Sequence, residues 1–160
     1  MPDVKALYDE DFVAWSRDQA EALRSAGRTG SNHKLDWENL AEEIESLGTA
    51  QRSAIGSHIM RIIQHLTKLE HSPADEPRRG WRRSVRLARI QIERRLEDNP
   101  SLKAELNQIV EDEMRRGIEY AIADLEEYGE FDEVGATALR RARYTPEQIL
   151  GDWFPPEPQP

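Results

Sequence analysis

A chain of 160 residues with 31 acidic and 22 basic side chains carries a formal net charge of −9 and no cysteine. One core serves a chain of this length; the missing thiols exclude a disulfide framework, thiol catalysis and thiolate metal sites; a pI near 5.0 excludes a general polyanion binder. No stretch approaches the ~18 apolar residues of a membrane span and the first ten residues do not read as a leader, so a soluble, cytoplasmic single domain is expected over residues 1–154.

The periodicity is helical almost throughout. Tyr8, Phe12, Trp15, Gln19, Leu23 and Ala26 recur at steps of three and four, predicting a first helix over about 9–26, followed by a glycine-bearing loop over 27–33. Asp36 is a good N-cap for a second helix, whose apolar line runs through Leu40, Ile44, Leu47, Ala54, Ile62 and Leu69 to about residue 71. The line keeps its phase across Gly48 and Gly56, where a kink is possible. Two prolines between Ser72 and Pro77 break it.

A third helix presents Trp81, Val85, Ala88, Ile92 and Leu96 on one face. After the Asn99-Pro100-Ser101 turn, Leu102, Leu106, Ile109, Val110, Met114, Ile118, Ala121 and Leu125 line a fourth helix, about 101–127, which Gly129 ends. A weaker helix is expected over about 132–142. Thr145 and Gln148 then form a capping box around Pro146 for a short last helix, whose Ile149, Leu150, Trp153 and Phe154 read as a lid. The proline-rich residues 155–160 are expected to be disordered. Long amphipathic helices with short breaks predict an all-α protein, an antiparallel four-helix bundle with a long second helix and short C-terminal helices. A second helix of 35 residues would be about 52 Å long against about 28 Å for the first and third. It therefore bends, or its overhang is covered by other segments or by a second subunit.

Charge is strongly polarised. Residues 78–95 hold eight arginines, at 78, 79, 82, 83, 86, 89, 94 and 95, against Glu93, a net +7 that leaves the rest of the chain at −16. Arg79, Arg82, Arg86 and Arg89 share a sector roughly 120° from the Trp81 stripe. Asp36, Glu38, Glu42, Glu43 and Glu45 on the second helix supply a complement, so pairing within the chain is expected. Leu87 and Ile90 fall opposite the core stripe. With Arg82, Arg86 and Arg89 they compose a candidate interaction face for a protein partner or a second copy. No aromatic platform accompanies the arginines, and nucleic acid is not an expected partner.

Polar residues within apolar stripes are the second signal. His58, His65 and Gln51 on the second helix and Glu113 on the fourth, with Asp124 on a similar line, are expected to bond one another or nearby backbone. His58, His65 and Glu113 form the alternative reading, a divalent metal site. Two turns, about 10.5 Å, separate the histidines, and there is no His-x-x-x-His or Glu-x-x-His pair. No metal, cofactor or catalytic residue is therefore assigned. Lys68 and Glu43, on the stripe's edge, read as ion-paired or snorkelling side chains.

Tyr8, Asp11, Phe12 and Trp15, the segment LAEEIESL from Leu40 to Leu47, His65, Leu66, Lys68, Trp81, and NPSL from Asn99 to Leu102 appear in an order that resembles the bacterial "domain of unknown function 29" family. The EQIL of residues 147–150 and the ending Trp153, Phe154, Pro155 are also similar. The likeness spans about residues 8–155 and implies an all-helical bundle in bacteria without an assigned activity; it lends no catalytic residues. Two functions remain: a non-catalytic interaction or self-associating protein, and a metal-assisted enzyme with a polar site in the bundle core.

Overall fold

Aspartates begin the first two helices. In the computed structural model, which describes residues 3–30 and 33–157, Asp3 caps α1 (Val4–Glu10) and Asp11 caps α2 (Phe12–Arg28), accepting from the Ala14 amide at 2.9 Å. The single first helix expected over 9–26 is thus two. Asp11 sits at φ −155° and ψ 91°, an extended conformation that interrupts the helix while its side chain satisfies the next one. Of the loop expected over 27–33, Ser31 and Asn32 lie outside the described residues.

Helix α3 runs unbroken from Trp37 to His71. Gly48 does not break it, because its missing side chain admits α2: a Cβ there would stand 2.2 Å from Ser16 Oγ. This close approach also rotates the packing face. Ala41 and Gly48 are buried, whereas Leu40 and Leu47, expected on the core line, are exposed at 40% and 52%. Residues 72–77 then turn the chain into α4 (Arg78–Asp98). Arg78 closes that turn by donating to the Ser72 carbonyl at 3.2 Å and to the Leu69 carbonyl, two groups a helix end leaves unpaired.

The fourth expected helix begins later than about 101. Pro100–Glu105 form a 3₁₀ segment and α5 covers Leu106–Glu127, ended by Gly129 at φ 68°, where the Glu130 amide reaches the Leu125 carbonyl at 2.9 Å. Helix α6 (Glu133–Leu139) is shorter than expected, and α7 (Pro146–Leu150) has the predicted capping box. The protein is all-α, with no strand among the described residues. Residues 155–157, expected as the start of a disordered tail, pack instead: Pro155 is buried and Glu157 takes the Arg78 Nε at 3.1 Å.

The chain forms two compact units, Met1–Ala54 with Arg94–Glu105, and Ile55–Glu93 with Leu106–Pro160. In the first, Val13, Ala20, Ala41 and Leu102 are buried, and the rings of Tyr8, Phe12 and Trp15 meet at 4.8 to 5.6 Å. In the second, Ile55, Ile59, Ile62, Ile63 and Leu66 of α3 are fully buried, as are Ile118, Ile122 and Leu125 of α5. Removing such side chains from water is the main stabilising term of both units.

Candidate functional site

The polar residues singled out on the helix stripes are divided between the two units. Gln51, in the first unit, accepts from Arg95 Nη1 at 2.9 Å. Glu113, in the second, sits beside Gly56 and pairs with Arg116 at 3.0 Å. His58 is half-buried. Among the described residues no group of three or more His, Asp or Glu is placed to hold a metal ion, so His58, His65 and Glu113 form no such set. Arg95 and Arg116 are thus the described partners of Gln51 and Glu113.

His65 stands apart. Burial, helped by the Lys68 cation, pushes its pKa down to about 4, and the imidazole is neutral around pH 7. Its Nδ1 is buried and has no hydrogen-bond partner among the described residues. One turn further along α3, Lys68 is 7% exposed. Its ammonium donates to Asp124 Oδ2 at 2.8 Å and lies 4.8 Å from the centre of the Trp81 ring; Gln64 holds the same carboxylate oxygen at 2.8 Å. A buried lysine demands such compensation. The ion pair expected of Lys68 is therefore present, and it uses Asp124, one of the polar residues noted on the α5 stripe. Tyr144 donates to Glu70 at 2.6 Å, and its hydroxyl pKa is raised, first by burial and then by that bond.

Lys68 and Trp81 line a cleft of about 520 Å³ in the second unit, with Asp75, Glu76, Tyr128 and Glu130. Lys68 and Trp81 were singled out in the sequence; Asp75, Glu76, Tyr128, Glu130 and the cleft itself were not, since the turn over 72–77 and the Gly129 cap bring its walls together.

The arginine face is also rearranged. Arg89, expected at the surface, is buried and donates to the carbonyls of Ile149 at 2.9 Å, Gln148 at 2.8 Å and Trp153 at 2.7 Å. Its guanidinium lies 4.9 Å from the centre of the Phe154 ring, with Arg86 at 5.3 Å. Arg82 pairs with Glu157. The expected pairing with the acids of the second helix is absent among the described contacts: Glu38 and Glu45 serve Arg24 of α2, at 3.4 and 2.7 Å. Those acids are sequence neighbours of α2 through one short loop, and α2 takes them first. Arg79 stays exposed on α4, and so do Arg83, Arg86, Leu87 and Ile90, a line of i, i+3, i+4 and i+7 positions, with the two apolar side chains 43% and 56% exposed.

The profile of the family described as "Domain of unknown function DUF29" matches residues 7–154. The chain belongs to the DUF29 family. A crystal structure of an alpha-helical protein of unknown function from Rhodospirillum rubrum is similar over 92% of this chain and 90% of that one, with a TM-score of 0.71 and 23% identity, a likeness of fold. No curated protein matches. In this DUF29 chain the stretches that carried the resemblance do structural work. Asp11 binds Ser101 of the NPSL segment, through the amide at 2.7 Å and the hydroxyl at 2.9 Å. Lys68 meets Trp81, and Ile149 of EQIL is fully buried.

Proposed function

We propose that this DUF29 protein is a non-catalytic interaction module of the cytosol that associates with a second copy of itself, the α4 face of one chain receiving the acidic α3 face of another. The observation that carries the reading is the exposure of Leu87 and Ile90 at 43% and 56% beside the exposed arginines Arg83 and Arg86. Apolar side chains flanked by arginine are a common interface composition. The complement is in the same chain: Leu40 and Leu47, 40% and 52% exposed, bracket the exposed carboxylates of Glu42 and Glu43 on α3. Opposite charges steer the two faces together and the leucines supply the area removed from water.

Sedimentation velocity across a concentration series tests this. Wild type is expected to associate at about 10 to 100 μM in low salt and less at high salt, as a charge-steered contact does. The variants Arg83→Glu with Arg86→Glu, and Glu42→Lys with Glu43→Lys, should each stay monomeric alone and associate when mixed, because every contact in the mixture is again complementary. Monomeric wild type at several hundred micromolar, or association unchanged by both charge reversals, overturns the reading. Salt-sensitive binding of duplex DNA that the arginine reversal abolishes would assign the α4 face to nucleic acid instead.

A further inference from the structure

The cleft beside Lys68 shares no residue with the faces used above. Its volume of about 520 Å³ falls within the ~300–1,000 Å³ typical of small-molecule sites. Its charge is lopsided. Asp75, Glu76 and Glu130 bring three carboxylates against one ammonium, and that ammonium is already neutralised by Asp124 at 2.8 Å. Glu130 is fixed: it accepts from the buried Ser72 hydroxyl at 2.8 Å. The aromatic walls are Trp81 and Tyr128, the latter 73% exposed. Acids and ring faces both attract cations.

Lys68 adds a second requirement. It is more than nine-tenths buried and lines the cleft, and among the described residues its three N–H groups make one hydrogen bond, to Asp124, beside the ring contact with Trp81. The remaining N–H groups can serve an acceptor on a bound molecule. Because Asp124 already balances the charge, a neutral oxygen suits it better than a second carboxylate.

We infer that this cleft binds a small organic monocation that also carries a neutral acceptor oxygen on an apolar body, the chemistry of an amino amide or amino alcohol. The cationic head is held by Asp75, Glu76 and Glu130, the acceptor by Lys68, and the body by Trp81 and Tyr128.

Phenylalaninamide is a suitable probe, titrated into the ¹⁵N-labelled full chain with the Trp81 indole and the 72–77 amides as reporters. Millimolar affinity is expected for a ligand of about a dozen heavy atoms. The neutral 3-phenylpropanamide should bind at least tenfold more weakly, and so should phenylalaninamide to the Glu76→Gln, Glu130→Gln double variant, in which the glutamine at 130 keeps an acceptor for Ser72. Phenethylammonium, a cation with no acceptor, should bind several-fold more weakly than the amide. Equal binding of the neutral amide, undiminished binding to the double variant, or shifts that fall outside the cleft overturn the site. Phenethylammonium binding as tightly as phenylalaninamide overturns the role given to Lys68.

Discussion

Asp11 and Ser101, ninety residues apart, are joined twice: the aspartate carboxylate accepts from the Ser101 amide at 2.7 Å and from its hydroxyl at 2.9 Å, while also capping α2 through the Ala14 amide. One residue therefore ends α1 through its backbone amide, while its carboxylate starts α2 and holds the 3₁₀ segment that follows α4. Asp11→Ala removes an N-cap and two charge-assisted bonds, and about 2 to 4 kcal/mol of stability should be lost. Ser101→Ala should cost about 1 kcal/mol. Urea melts of both and of the double variant should give a coupling energy near 1 kcal/mol; strict additivity would mean the two side chains act independently.

The pair of Lys68 and Asp124 predicts an asymmetry. Asp124→Ala leaves a lysine that is 7% exposed with no counter-charge. Because the aspartate is itself partly exposed, the expected loss is about 1 to 3 kcal/mol, at the low end of a broken buried pair. Lys68→Met in the same background removes the stranded charge while keeping a long apolar stem. It should restore at least half of the loss. A double variant less stable than Asp124→Ala alone would show that Lys68 matters for packing on Trp81 more than for charge.

The all-helical class, the long α3 and the Thr145–Gln148 box were legible because periodicity and capping are local properties of the chain. The break at Asp11 was not, since an acid there reads equally well as first-turn charge of one longer helix; only Ser101, far along the chain, decides it. Leu40 and Leu47 were misplaced for a related reason. Hydrophobicity favours leucine over Ala41 and Gly48 as core, but the approach of Ser16 needs small residues, so the smaller side chains take the interior. The arginine face failed on partners. Arg89 serves backbone carbonyls, which no side-chain pattern marks. Lys68 and Asp124 were each visible as polar residues on apolar stripes, but their pairing and the cleft beside them depend on where two chain turns end.

Arg89 should act as a clamp on the C-terminal segment. A lysine offers one point of attachment where the guanidinium reaches three carbonyls, so Arg89→Lys is expected to behave nearly as badly as Arg89→Met. Both should lose about 2 to 3 kcal/mol, the range for hydrogen bonds from a buried charged donor. Hydrogen exchange locates the effect. Amides of α7 should exchange at least tenfold faster in either variant while those of α5 change less. Uniform acceleration across both helices would mean the segment is not a separately held element.

His65 makes stability depend on pH in a defined direction. Its folded pKa is lowered to about 4 by burial first and by Lys68 second, against an ordinary value of 6.5. Between those values the unfolded chain binds a proton that the folded chain refuses, so stability rises with pH across the window. The contribution of neutral His65 is fully present above about pH 6.5 and is lost as pH falls toward 4. A His65→Gln variant lacks this titration. Urea melts from pH 4 to 7.5 should show wild type gaining about 1 to 3 kcal/mol relative to the variant as pH rises, nearly all of it below pH 6.5. A relative loss over the same range would mean that His65 is charged in the folded protein, with Asp124, which draws its pKa upward, outweighing burial.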